Sequence, residues 1–336
     1  MTDRILVTGG AGFIGARIIE ELLKRTDAHI VSLDRLDTSG TLERLAHLAK
    51  GQYKGRLTIV FHDLKAELND RVQAKIGNIT HIYHLAAGSH VDRSIEFPLE
   101  FVFDNVVGTA HLLDYARQHC NDLKWFLYFS TDEVFGPAPE GVAYKEWDRY
   151  NSGNPYSAAK AGAEELCLAF ANTYNMPINI THTMNVFGVR QHPEKYVPIC
   201  IRRTLNGEKI TIHSNKDCTK AGSRFYISVD DVADAMLFLL AKHEKGELKN
   251  GDKFNVVGSE EIDNLELAQR IADIQGKKLV YEMVDFHSSR PGHDLRYALC
   301  GEKMKEMGWQ PQPLTDRLIE TVQWYASAEN NLWLDV

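Results

Sequence analysis

The sequence predicts an α/β protein, built as a doubly wound parallel sheet with a smaller C-terminal α/β lobe. Short apolar, β-rich runs alternate with helical patterns from the first residues onward. The strands are apolar throughout instead of alternating, as a parallel sheet covered on both faces requires. A glycine-rich turn joins the first strand to the first helix.

The elements follow in order. RILVTG gives the first strand and FIGARIIEELLKR the first helix; HIVSLD, LTIVFHD and HIYHLAA are the next strands. Residues 99–119, LEFVFDNVVGTAHLLDYARQH, read as one long helix, and a second spans 154–174, with the strand WFLYFS between them. INITHTMN adds a further strand. Right-handed crossovers between parallel strands then produce the doubly wound sheet. After Gly188 the pattern loosens, and loops rich in charge, Gly and Pro (VRQHPEKY, HSNKDCTKAGSR, DFHSSRPGHD) separate shorter elements. Residues 1–188 are therefore expected to form the larger domain and 189–336 mainly a smaller lobe closing over it. Late elements near 225–257, including VDDVADAMLFLLAKH, are candidates to return to the main sheet.

Composition excludes several classes. The net charge of −8 disfavours nucleic acid or an anionic membrane as the main partner. No apolar run approaches the ~20 residues of a membrane helix. MTDRILVTGG enters a strand pattern at once and shows no signal-peptide core, so a cytoplasmic location is expected. The five cysteines are scattered without metal-ligand spacing and read as reduced thiols; no metal site is expected.

In the first turn, Gly9, Gly12 and Gly15 let the backbone approach a pyrophosphate at the N-terminus of a helix that opens with Phe13 and Ile14. The motif follows a strand and opens an amphipathic helix, the context that separates a dinucleotide site from a plain structural turn. Asp34, nineteen residues beyond Gly15, ends the second strand. A carboxylate there accepts from the adenosine ribose hydroxyls and repels a 2′-phosphate, favouring NAD over NADP. Arg35 beside it is the counter-indication, since an arginine serves a phosphate. Asp63 is an adenine contact or, equally, a helix N-cap.

Tyr156 and Lys160 stand at i, i+4 near the start of a helix and share one face. A neighbouring ammonium stabilises phenolate, so the pair is expected to lower the tyrosine toward the working range of a general base. Thr131 ends the preceding strand, where a hydroxyl polarises the same substrate oxygen. Asp132 and Glu133 follow it directly. Simple hydride transfer needs no such pair, whereas eliminating water requires one group to remove a C–H proton and another to protonate the departing hydroxyl. The bland alternative is a capping acid and first-turn acid of a short helix.

These residues, together with SHVDRSI (89–95), NVVGT (105–109), TDEV (131–134), YSAAK (156–160), HPEK (192–195) and RPGHD (290–294), make the chain resemble the extended short-chain dehydrogenase/reductases. The nearest branch is the NAD-dependent sugar-nucleotide dehydratases of the dTDP-glucose 4,6-dehydratase type. The resemblance runs nearly end to end. It implies that Tyr156, with Lys160 and Thr131, deprotonates the C4 hydroxyl as NAD takes the C4 hydride. Glu133 then removes the C5 proton, Asp132 protonates the leaving C6 hydroxyl, and the hydride returns to C6. It adds Leu85, Ala86, Ala87 and Asn105 to the cofactor contacts, and Ser89, His90, Asn185, Lys195, Arg224 and Arg290 to the substrate contacts. It also implies a homodimer formed through helices 99–119 and 154–174, although their apolar residues could equally pack on the sheet.

The sequence departs from the branch at Gly88, where an acid is expected, and around Thr211-Ile212-His213, where a proline and an aromatic usually hold the base. His213 is the candidate replacement. The nucleotide and hexose therefore stay open. The rival readings are a 4-epimerase, a UDP-glucuronate decarboxylase or a 5,6-dehydratase on the same scaffold, and a non-catalytic NAD-binding protein.

Overall fold

The structure, a computed structural model, describes residues 2–37, 39–285, 295–327 and 329–334. Its centre is a seven-stranded parallel sheet. The strands are β1 (Arg4–Thr8), β2 (His29–Asp34), β3 (Leu57–Phe61), β4 (His81–His84), β5 (Trp125–Thr131), β6 (Ile178–Thr183) and, after the short β7 (Val186–Phe187), β8 (Ile210–Ser214), β9 (Ser223–Arg224) and β10 (Ile227–Ser228), the edge strand β11 (Lys253–Val256). The order β11-β6-β5-β4-β1-β2-β3 reverses direction of growth at β1 and β4, as a doubly wound sheet does. Every residue of β4 and β6 is buried, polar ones such as His84, Asn179 and Thr181 included, as in strands covered on both faces.

The chain divides into two compact units. The first comprises 1–134, 154–182 and 233–254, the second 135–153, 183–232 and 255–336. The first unit holds the sheet and the helices α1 (Phe13–Arg25), α2 (Glu43–Ala46), α3 (Asp70–Ile76), α4 (Val91–Glu96), α5 (Pro98–Phe101), α6 (Gly108–His119) and α7 (Pro155–Tyr174). Its core joins Leu6, Val31, Ile82, Phe126 and Ile180 of the strands to Leu112, Leu113, Ala163 and Cys167 of the helices. The second unit has its own core, in which Phe187, Ile201, Ile212, Leu267, Leu318 and Tyr325 meet. There α8 (Tyr196–Asn206) and the helices Asn264–Ile274 and Leu314–Ala326 cover β8, which pairs in parallel with Tyr281–Asp285.

Two segments group differently from a simple division at Gly188. Residues 135–153 belong with the second unit because their backbone is held there. Tyr144 N donates to Ala298 O, the Arg296 guanidinium donates to the carbonyls of Pro139 and Val142 at 2.6 and 2.7 Å, and Asn255 Nδ2 donates to Tyr144 O at 3.0 Å. Conversely, most of helix α9 (Val229–Glu244) groups with the first unit, where Arg25 reaches Asp234 at 2.6 Å. The expected helix 99–119 is continuous but not uniform. α5 passes into a widened π-turn, Val102–Val107, before α6 begins. The Asn105 side chain inside this turn is drawn onto the Gly88 backbone, the kind of local demand that widens a helix.

One buried charge cluster secures α7 to the sheet. Glu164, fully buried, receives Lys253 Nζ of β11 at 2.9 Å and lies 3.0 Å from His182 Nε2 of β6. Burial alone pushes Glu164 up, but His182 and Lys253 outweigh it and hold the carboxyl below its usual range. Removing one partner of a buried pair strands the other charge. Glu164→Ala should therefore lower unfolding free energy by about 3–5 kcal/mol, read as a shift of the urea midpoint at pH 7. A loss below 1 kcal/mol would mean that Lys253 finds water or another acid.

Candidate active site

β1 ends at Thr8, and the chain must reverse at once into α1. Gly9 does so with φ of +70°, and a Cβ there would lie 2.8 Å from Ala86 N. The turn is therefore closed to side chains on both conformational and steric grounds. Gly12 caps α1 without a side-chain hydrogen bond, and no acid stands in the first turn, at Phe13, Ile14 or Gly15. The helix dipole and first-turn amides thus face no competing carboxylate from that turn, which suits a pyrophosphate. Across the turn, Ala86 N donates to Thr8 Oγ1 at 3.2 Å. Thr8 Oγ1 also meets His84 Nδ1 at 2.7 Å, and His84 Nε2 reaches Thr109 Oγ1 at 2.9 Å. Burial drives His84 down to about 3, so it serves as a neutral bridge. Asn105 clamps the end of the Leu85–Ala87 stretch, accepting from Gly88 N at 2.7 Å and donating to Gly88 O at 3.1 Å.

The end of β2 carries the second part of the nucleotide site. Asp34 accepts from Ala11 N at 3.0 Å and Leu36 N at 2.8 Å. Arg35, the counter-indication to NAD, is itself engaged. Its two terminal nitrogens grip Asp104 at 2.6 and 2.9 Å, while Nε donates to Asp37 at 2.7 Å. Bidentate pairing of this kind competes directly with phosphate binding. Asp63 is no helix cap. It accepts from Lys65 N at 3.0 Å within a turn, and the following helix, α3, is capped by Asn69. The unexpected Gly88 also has a local reason: a Cβ there would lie 3.1 Å from the Phe101 ring and 3.2 Å from Asp104 Oδ2. An acid at that position would crowd a ring and face a like charge.

The candidate acid–base residues gather where β5 meets the start of α7. β5 delivers Thr131, and Asp132–Phe135 form one 3₁₀ turn. Thr131 Oγ1 donates to Asp132 at 3.0 Å and accepts from Glu133 N at 3.3 Å, and its hydroxyl acts to lower the proton affinity of Tyr156. Asn154 caps α7 through a capping box with Ser157, and Pro155 starts the helix. The next residue, Tyr156, is fixed by its backbone N–H on Ser94 Oγ at 3.2 Å and by the edge of Phe101. One turn on, Lys160 Nζ donates to Phe129 O at 2.6 Å and lies 4.4 Å over the Tyr128 ring.

The electrostatics correct one expectation. Lys160 does not bring the phenol down. Tyr156 is pushed above its usual range, first by burial and then by the charges of Glu133 and Asp132, with the Thr131 bond offsetting only part. The ammonium is anchored to Phe129 and Tyr128, and burial lowers Lys160 itself to about 7.

The substrate candidates separate by unit. In the first, Ser89 is exposed and half-buried His90 caps α4, its Nδ1 accepting from Arg93 N at 3.3 Å. In the second, Asn185 is exposed, Lys195 is the N-cap residue of α8, and His213 sits half-buried in β8 opposite Val284. Arg224 donates to the carbonyls of Ser223 and Leu295, each at 2.7 Å, and stacks 4.6 Å from the Tyr297 ring centre. Arg290 lies outside the described residues.

Sequence reasoning missed Asn154 and His84. The first was legible only as an N-cap before a Pro-initiated helix, and the second had no local signal. It also missed a trio at the opposite ends of the strands, where Asp3, His81 and Glu244 place ligand-type atoms within 4.8 Å of one another. Lys124 already supplies a cation to Asp3 at 2.7 Å.

The sequence profile of the GDP-mannose 4,6 dehydratase family matches residues 6–322. The chain belongs to that family. Among its relatives, a dTDP-glucose 4,6-dehydratase of Escherichia coli is 33% identical, covering 99% of this chain and 94% of the relative. The low-salt glycan biosynthesis protein Agl12 of Haloferax volcanii is 37% identical, covering 96% and 98%. In three dimensions the chain is similar to the dTDP-glucose 4,6-dehydratase DesIV of Streptomyces venezuelae, crystallised with NAD and TYD (TM-score 0.85, 32% identity, 98% of each chain). It is nearly as similar to a UDP-glucose 4-epimerase of Thermus thermophilus in complex with NAD (TM-score 0.84, 29% identity, 97% and 99%). This dehydratase-family scaffold thus extends to epimerases, and the residues around Tyr156 must discriminate.

The depressed Lys160 has a consequence for stability. Its folded value, about 7, lies below the 10.5 of an exposed lysine, so the unfolded chain binds more protons between those limits. Folding stability is penalised in full below pH 7, and the penalty fades as pH rises toward 10.5. Lys160→Met, uncharged and of similar length, should melt higher than the parent at pH 6, with the gap narrowing by pH 10. A gap independent of pH would show that the ammonium is not the source.

Proposed function

We propose that this enzyme dehydrates a nucleoside-diphosphate hexose to its 4-keto-6-deoxy derivative, with NAD as cofactor. The observation that supports this most is the acidic pair. Asp132 and Glu133 both act on Tyr156, and Glu133 is tied to the cap of the helix that bears it. Hydride exchange at C4 alone, the chemistry of a 4-epimerase, has no task for two such acids beside the tyrosine.

Gly9–Gly15, Asp34 and Leu85–Ala87 would hold NAD, which when bound would supply the hydride acceptor and donor that this chemistry needs. The protein does the proton work. Tyr156 takes the proton of the C4 hydroxyl, with Thr131 acting to lower the proton affinity of the same phenol. Its raised affinity for a proton makes it a strong base once deprotonated, and Lys160, near neutrality, is suited to relay that proton. The 4-ketone acidifies C5–H, Glu133 removes that proton, and Asp132 protonates the departing C6 hydroxyl. Ser89 and His90 contact the sugar. Asn185, Lys195, Arg224 and Arg290 hold the diphosphate and His213 the base, with planar guanidinium groups suited to phosphate oxygens. The named relatives make dTDP-glucose the first substrate to test.

We also propose a cytoplasmic homodimer. All five cysteines are free, as a reducing compartment allows. Leu99, Val102 and Phe103, exposed at 70%, 41% and 50%, crowd one stretch of α5 and the π-turn, an apolar surface that a second copy would cover. Leu99→Arg with Phe103→Glu should convert the dimer to monomer in analytical ultracentrifugation; an unchanged sedimentation coefficient rejects this face.

The activity itself is tested by incubation with dTDP-, UDP-, CDP- and GDP-hexoses, followed by mass spectrometry and NMR. Loss of one water with a methyl group at C6 is expected. Retention of mass would mean epimerisation, and water loss without a 4-ketone would mean 5,6-elimination. Glu133→Gln and Asp132→Asn should still generate NADH but lose water at least 100-fold more slowly, whereas Tyr156→Phe should suppress NADH formation by a similar factor.

A further inference from the structure

Asn154 uses the two ends of one side-chain amide on two different tasks. Its Oδ1 accepts from Ser157 N at 2.9 Å, and Ser157 Oγ accepts from Asn154 N at 3.2 Å, closing the capping box of α7. Its Nδ2 donates to Glu133 Oε2 at 3.1 Å. Asn154 is buried and Glu133 half-buried, so this bond is only partly shared with water.

Capping by itself does not call for an amide. Ser, Thr, Asp and Asn all supply the accepting oxygen an N-cap needs. Only Asn among them pairs that oxygen with N–H donors on the same rigid plane. Asp would turn a second carboxylate toward Glu133, and Ser is too short to reach Ser157 N and Glu133 together. Asn154 stands two positions before Tyr156 and six before Lys160, at the start of the same helix. The amide thus links the carboxylate after β5 to the helix carrying the tyrosine and lysine.

Resting on the dehydratase reading above, we infer that Asn154 is a positioning residue for Glu133, aiming its carboxylate at the C5 proton and holding it in register with Tyr156. The cap serves the hydride step, because α7 carries Tyr156 and Lys160. The donated N–H serves the elimination step. One residue therefore acts on two partial reactions through two different atoms, and substitutions can separate them.

The experiment uses the full enzyme with its bound NAD and the nucleoside-diphosphate hexose that the carrier panel identifies, in deuterated buffer. Two signals are followed: the near-ultraviolet absorbance of bound NADH, and product carrying deuterium at C5 by NMR. Asn154→Asp and Asn154→Ser both keep the cap and should melt within a few degrees of the parent. In both, NADH should appear at the parental rate and accumulate, while deuterated product forms at least tenfold more slowly. Asn154→Ala, which loses cap and donor, should slow both signals. If the first two variants make product within twofold of the parent, the positioning role is overturned and the dehydratase reading stands. If they lose NADH formation and product in equal proportion, Asn154 is a helix cap only, and the role is again overturned. If the parent forms NADH but never releases water, the dehydratase reading falls, and the assigned task of Asn154 falls with it.

Discussion

The bond from the Lys160 ammonium to the carbonyl of Phe129 is the contact on which the site depends. It ties α7 to the C-terminal end of strand β5 from the buried side, with the Tyr128 ring beneath the ammonium. With that distance set, Tyr156 lies where Thr131 and the two acids of the turn after it act on the proton affinity of its phenol. A helix that slid by one residue along the sheet would separate all of these groups. The buried Glu164 cluster, one helical turn further on, opposes such sliding, because its charges have partners at only one register.

This arrangement stores electrostatic tension. A phenol raised by burial and by two carboxylates stands one turn from a lysine lowered by burial. Each shift disfavours the charged form of its group: Tyr156 rests neutral near pH 7, while Lys160, lowered to about 7, is divided between its two forms there. Around the nucleotide turn the same logic runs through uncharged bridges. His84 is held neutral between two threonines, and Asn105 grips the Gly88 backbone, so that the loop facing Gly9 is set by hydrogen bonds and not by charge.

Much of this was legible in the residues themselves. Continuous apolar strands, a glycine turn between strand and helix, and YSAAK after a strand ending in Thr131 are local patterns. Each prescribes its own backbone conformation with little help from distant residues, and the doubly wound parallel sheet followed from them. What escaped reading was set by contacts across long separations. The π-turn at 102–107 arises because Asn105 meets Gly88, the segment 135–153 is held by Arg296 and Asn255, and Arg35 is occupied by Asp104. None of these pairings leaves a periodic trace.

The sequence by itself therefore determined the class of fold and the family, and it nominated a glycine turn and five candidate acid–base residues, since short-range patterning and residue chemistry carry that information. Only the tertiary structure decided how those residues act on one another. It raised Tyr156 where proximity to Lys160 suggested lowering, it gave Arg35 to two carboxylates, and it joined Glu133 to Asn154 across 21 positions of chain. The reason is physical: a side chain's proton affinity and its partners depend on burial and on the angle of approach between elements, and neither quantity exists until the sheet and its helices have packed.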